Sequence, residues 1–162
     1  MPERETIGRA RRDKRAGKSP STQAGEFVRE EIHHVRKGKH GARSPKQAVA
    51  IGLSKARRAG VKLQPPEKGQ TSERTRRNAQ HALSRSRSRR RPSTRRSRAV
   101  RTALRREGRS AASRRSLSRQ ASTAARRRGT GSLKAAARRA VRTKGRAGRV
   151  AAARKAARTR KK

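Results

Sequence analysis

The sequence predicts a mostly α-helical and largely disordered chain. It has a short helix-turn-helix hairpin at about residues 21–63 and then a basic low-complexity tail with short Ala/Arg helices. Three observations lead there. The 162 residues carry 52 Lys and Arg against 9 Asp and Glu, a formal net charge of +43, and self-repulsion at that density opposes compaction. Hydrophobic residues make up 28% and aromatics 1%, too little apolar material to bury a core along the whole length. The charge is also uneven: residues 1–73 hold eight of the nine acids and carry +10, whereas residues 74–162 carry +33. A head that can fold is thereby set apart from a tail expected to stay open when alone.

Residues 1–20 are polar and mixed in charge, with Ile7 as the only large aliphatic after Met1, and read as a disordered arm. The first helix of the hairpin is capped by Ser21 or Thr22. Its apolar positions Ala24, Phe27, Val28, Ile32 and Val35 recur at three and four, and Gly38 stands where a C-terminal glycine is expected. A turn on Gly38, His40 and Gly41 leads to Ser44-Pro45-Lys46-Gln47. There the serine hydroxyl caps the Gln47 amide, proline suits the first helical position, and Gln47 reaches back.

The second helix should run from Pro45 to about Ala59 and stop at Gly60. Ala48, Val49, Gly52, Leu53, Ala56 and Ala59 fall on one arc, a face of small residues that admits a close partner helix. Lys46, Gln47, Ser54, Arg57 and Arg58 fall opposite. Glu31 on the first helix and Lys55 on the second either pair across the hairpin or stay solvated. With so few large side chains the hairpin is marginal as a monomer, and a weak dimer or a bound polyanion would help order it.

Pro65 and Pro66 mark the seam. Residues 64–92 read as a linker and Ser/Arg-rich segment, with SRSRSRRR at 84–91, and residues 93–162 as the basic Ala/Arg-rich tail. In the tail, Ala-rich stretches are punctuated by Gly108, Gly129, Gly131, Gly145 and Gly148, and AAARRAVRTK at 135–144 aligns with AAARKAARTR at 151–160, an offset of 16 residues. Alanine and arginine favour helix, so each stretch can form a short helix once its charges are neutralised, with glycines as hinges, while the free tail is expected to be mostly coil.

Most chemistry is excluded by inventory. Cysteine is absent, so no disulfide, thiolate metal site or thiol nucleophile exists. His33, His34 and His40 are close in sequence but read as solvated, and Glu26, Glu30 and Glu31 read as a charged face rather than a catalytic pair. Gly-rich nucleotide motifs are missing, and Phe27 alone cannot build a base-stacking RNA module. No signal peptide and no run of 18 apolar residues occur, so a chain that stays in the cytoplasm at the nucleoid is expected. Neither an enzyme, a cofactor, a metal, a small-molecule substrate nor a membrane partner is expected.

What remains is phosphate binding, since arginine contacts phosphate oxygens bidentately. The candidate contacts are Lys46, Arg57 and Arg58 on the second helix, where the positive end of the helix dipole lies near Lys46. In the tail they are the Arg clusters Arg89-Arg90-Arg91, Arg95-Arg96, Arg114-Arg115, Arg126-Arg127-Arg128 and Arg138-Arg139, with Arg154, Lys155 and Arg158 at the end. The expected partner is double-stranded DNA, bound without base preference, with RNA or a protein adaptor role as alternatives. Ser97 and Ser116 each follow two arginines, a setting in which phosphorylation would cancel charge.

GEFVREEI at 25–32 and GKHGARSPKQAVAIGLSKARRAGVKL at 38–63 resemble a bacterial family of small basic proteins of unknown function, which implies DNA binding and supplies no site residues. The tail, ending in AAARKAARTRKK, is similar to the C-terminal tails of linker histones and of bacterial histone H1-like proteins, but with arginine in place of most lysine.

Overall fold

The computed structural model describes residues 2–85 and 93–160. It corrects the expectation of a largely disordered chain. Among the described residues there are six α-helices and one 3-10 turn: α1 (Arg4–Arg15), α2 (Pro20–Arg36), α3 (Pro45–Arg58), α4 (Glu73–Arg85), α5 (Thr94–Arg106), the turn Ser110–Ala112, and α6 (Arg114–Arg160). Two compact units divide the chain, residues 1–117 and residues 118–162.

The low content of large apolar residues does not prevent folding of the first unit, because its core is made largely of alanine. Among the described residues, nine of the twelve buried apolar side chains are Ala, the others being Phe27, Val35 and Val61. Alanine loses no rotamer entropy on burial and is the best helix former, so closely packed helices need little of the large apolar material that the sequence lacks.

α2 and α3 make the hairpin. Ser19 Oγ caps α2 at the Thr22 amide, with Pro20 in the first turn, so the helix begins slightly earlier than the Ser21 or Thr22 cap expected. Ser44 Oγ accepts from the Gln47 amide at 3.2 Å, and Gln47 Oε1 reaches back to the Arg43 amide at 2.7 Å. Phe27 and Ala56 share one core cluster while Val35 and Ala48 share the other, so the two helices run antiparallel. They touch most closely at Gly52, where a Cβ would stand 2.6 Å from the Val28 Cα. That is the close approach a small-residue face permits.

Residues 1–20, expected as a disordered arm, form α1 and pack on α2. Thr6 and Ala10 are buried and Ile7 joins the first cluster, a face too sparse in large aliphatics to stand out in the sequence. Polar contacts complete the attachment. Arg9 Nε donates to Glu26 Oε2 at 2.6 Å, which holds the guanidinium firmly in its charged form. Glu3 meets Lys39 and His34 at 2.9 Å each, and those two bonds, the Lys39 bond first, hold its carboxyl down at about 2.

The segment expected to be a linker also contains structure. After Gly60 (φ +89°) the chain turns back so that Val61 and Leu63 close the first cluster. α4 then packs on α3 with Ala79 and Ala82 buried.

The largest departure is in the basic tail, part of which is core. Ala111 and Ala112 are buried with Val35, Ala42 and Ala48 in the second cluster. The Gly41 amide donates to the Leu104 carbonyl at 2.8 Å, the Ala42 amide to the Gly108 carbonyl at 3.0 Å, and Arg36 Nε to the Ala112 carbonyl at 2.8 Å. Residues 104–112 thus form a strap across the α2–α3 turn. Gly41 is required there, because a Cβ would sit 1.8 Å from the Glu107 carbonyl oxygen.

α6 is helical throughout its stretch except at Gly129 (φ 74°, ψ 167°) and Gly145 (φ 60°, ψ −175°), which break it into three helical pieces. These glycines are 16 residues apart, the same offset as the sequence repeat. Gly131 and Gly148, although expected as hinges, stay within helix.

Candidate nucleic-acid interface

Where the predicted contact residues lie follows from which side of each helix is already used. On α3, Lys46 is exposed in the first turn and Arg58 is exposed near the last. Arg57 is not available. It is 6% exposed, its Nε donates to the Leu63 carbonyl at 3.1 Å and its Nη2 to the Gln64 carbonyl at 3.3 Å. Burial lowers the pKa of its guanidinium. The helical arc placed Arg57 outward correctly with respect to α2, but the chain that follows α3 folds back over that side. Arg57 therefore ties down residues 61–64 and is withdrawn as a phosphate contact.

Arg95 and Arg96 lie exposed on α5, whose cap is Ser93, and no residue of this helix is buried. Arg95, Arg98 and Arg106 line an open groove of about 560 Å³ along it. Arg98 and Arg106 were not among the residues singled out, although their three- and eleven-residue offsets from Arg95 place all three on one helical face. Arg114 and Arg115 are exposed in the first turn of α6. Arg89, Arg90 and Arg91 lie outside the described residues.

In the second unit, Arg126, Arg127 and Arg128 are exposed immediately before the break at Gly129. Lys134, Arg138, Arg139 and Arg142 line an open groove of about 360 Å³ on the next helical piece. Lys134 and Arg142 were missed; their signal is the i, i+4, i+8 spacing with Arg138. The 16-residue repeat carries Arg138 and Arg142 onto Arg154 and Arg158, both exposed on the last piece, and Lys155 falls in the same helix. Each piece is about 15 residues and hence roughly 22 Å long.

The electrostatic contrast is sharp. Ion pairs between described residues all fall within residues 3–76. Residues 118–162 hold 17 Lys and Arg and no acid. No Asp or Glu side chain lies there to balance these cations, an arrangement suited to contacts with the backbone of a polyanion. The serines in settings for charge-cancelling modification, Ser97 on α5 and Ser116 on α6, are both partly buried.

Residues 11–68, from the end of α1 through α2 and α3 to the segment that closes on Arg57, match the model of a family of unknown function, DUF6496. No curated protein and no solved structure matches the chain. Among the described residues no helix is long and apolar enough to cross a membrane.

Proposed function

We propose that this chain is a non-enzymatic, histone-like protein that binds duplex DNA without base preference and compacts it at the nucleoid. The observation that carries this reading is the unbalanced cation array of the second unit, 17 positive side chains with no acid, presented on helical pieces with Arg repeated at a 16-residue offset. Arginine on such pieces meets phosphate oxygens along the backbone, and release of condensed counterions supplies the free energy. Lys46 and Arg58, exposed on α3, and separately Arg95, Arg98 and Arg106 along α5, add further cations in the first unit.

A protein neutralising about ten phosphates shows a log-log salt slope near −9 and loses on the order of 10⁵ in affinity between 50 and 200 mM salt. Sequence should matter little, because among the described residues no aromatic side chain is exposed for stacking. The test is competition of labelled duplex DNA against unrelated duplexes and against structured RNA at 150 mM salt. Equal displacement by any duplex, and weaker displacement by RNA, supports the reading. Preferential displacement by structured RNA would replace DNA with RNA as the partner.

A further inference from the structure

Away from the basic surface, the densest cluster of titratable groups lies where α2, α3 and their connecting turn meet. His40 Nε2 stands 3.3 Å from Glu31 Oε1, and His34 Nδ1 stands 4.0 Å from Glu30 Oε1. The two imidazole rings meet edge to face with centroids 6.1 Å apart. One donor atom from each of Glu31, His34 and His40 lies within 4.8 Å of the others.

Hydrogen bonds settle which nitrogens face inward. His40 Nδ1 donates to the Gly41 carbonyl at 3.0 Å, and His34 Nε2 donates to Glu3 Oε1 at 2.9 Å. His40 Nε2 and His34 Nδ1 are the ring nitrogens left to ligate a metal, and both lie next to buried carboxylates. The Glu30 side chain is 2% exposed and that of Glu31 1%. Lone pairs beside carboxylates repel unless a cation lies between them.

Lys55 provides one cation, 2.6 Å from Glu31 Oε2 and 3.6 Å from Glu30 Oε1. It does not complete the site. Glu30 Oε1 and both oxygens of Glu31 receive no aligned hydrogen bond, so the Lys55 contacts are ion pairs by distance alone. A proton on His40 would serve Glu31 Oε1, but 3.3 Å is long beside the roughly 2.7–2.9 Å of a charged N–H···O bond. It is close to the separation of about 3.4 Å between two ligands that each lie about 2.1 Å from a tetrahedral metal.

We propose that Glu31, His34 and His40 form a binding site for a divalent transition metal, zinc by its donor set, with Glu31 Oε1, His34 Nδ1 and His40 Nε2 as ligands. Two imidazoles and a carboxylate suit zinc. Glu3 and the Gly41 carbonyl act as the outer partners that orient ligating imidazoles, and Lys55 holds the second oxygen of the ligating carboxylate. A cleft of about 200 Å³ lined in part by Glu3, Glu30, His34 and Lys39 gives a route from solvent. A chain of net charge +43 repels cations in general, so uptake here depends on ligation. The bound metal would clamp the turn that the 104–112 strap covers. The site stands apart from the nucleic-acid reading and does not depend on it.

The test uses the full chain, stripped with a chelator and dialysed, without nucleic acid. Zinc titrated calorimetrically at pH 7.5 should bind with a stoichiometry of one. In the same titration the imidazole NMR signals of His34 and His40 should shift, while those of His33 and His81 should not. His40→Gln and His34→Gln should each weaken binding by at least tenfold, and Glu3→Gln, which touches only the outer shell, by about tenfold. His33→Gln and His81→Gln should bind as wild type. Circular dichroism shows whether each variant folds, and the wild-type NMR result decides the matter if a ligand variant does not. Absence of saturable uptake, or uptake that tracks His33 or His81, would overturn the site and leave an ion-pair network of Glu30, Glu31, Lys55 and His40.

Discussion

The two units of this protein are both helical, both rich in arginine and alanine, and opposite in what they do with their charge. In residues 1–117 every acid of the chain is present, and the ion pairs Arg9–Glu26 and Lys55–Glu31, each at 2.6 Å, knit α1, α2 and α3 together. Alanines there are buried between helices. In residues 118–162 the described arginines and most of the alanines are exposed, and so are the larger Leu133, Val141 and Val150. Composition alone therefore does not separate fold from binding surface. What separates them is whether carboxylates and a facing helix accompany the arginines and alanines.

The comparison breaks most visibly if the boundary is cut in the wrong place. A fragment ending at residue 73 lacks α4 with its buried Ala79 and Ala82 as well as Ala111, Ala112 and the bond from Arg36 to the Ala112 carbonyl, and should be less stable than a 1–117 fragment by at least roughly 2–5 kcal/mol, the scale of a core truncation. Urea denaturation of the two fragments measures the gap, and equal midpoints would show that the strap is not part of the head.

Single substitutions sharpen the same point. Gly52→Ala places a Cβ 2.6 Å from Val28 Cα and should cost about 1–3 kcal/mol through overpacking, read by thermal unfolding. Gly41→Ala should act more locally, expelling the strap so that the Gly41 and Ala42 amides, which bond the Leu104 and Gly108 carbonyls, exchange faster with deuterium. Unchanged exchange of these two amides would contradict the strap.

Neighbouring arginines on α3 give a finer contrast. Arg57→Ala leaves the Leu63 and Gln64 carbonyls without their donor and should destabilise the first unit by about 1–3 kcal/mol with no change in salt slope. Arg58→Ala, at an exposed site, should change stability by less than about 0.5 kcal/mol and lower the salt slope by about 1. A shallower slope for the Arg57 variant, with its fold retained, would return Arg57 to the interface. Smallest of all, Arg138→Ala in the full chain should change only that slope, again by about 1.

The hairpin was legible because its signals are local. Ser44-Pro45 starts α3, Gly38 and Gly60 follow α2 and α3, and the small face around Gly52 and the Glu31–Lys55 pairing come directly from three- and four-residue spacing. What stayed hidden depends on contacts distant in sequence. Nothing in Ser110-Ala111-Ala112 announces that Ala111 and Ala112 bury against Val35 and Ala48, 63–77 residues earlier, and nothing near Arg57 shows that residues 63 and 64 return to it. α1 was missed because a face of Thr6 and Ala10 beside Ile7 carries little hydrophobic periodicity. The Ala/Arg stretches of the tail were expected to be coil until a polyanion neutralised them, and they are helical without one; which glycines break the helix was not legible either, since Gly129 and Gly131 differ in backbone angle and not in residue type.

The central claim is that charge balanced by acids builds the first unit and charge without acids binds the polyanion. Its most direct test is the salt dependence of duplex DNA affinity, measured between 50 and 200 mM salt for the full chain and for residues 1–117. The account predicts a steep slope near −9 for the full chain and a much shallower slope, with affinity lower by orders of magnitude at 50 mM, for the fragment that retains a wild-type melting curve. A folded 1–117 fragment that kept the slope and affinity of the full chain would contradict it.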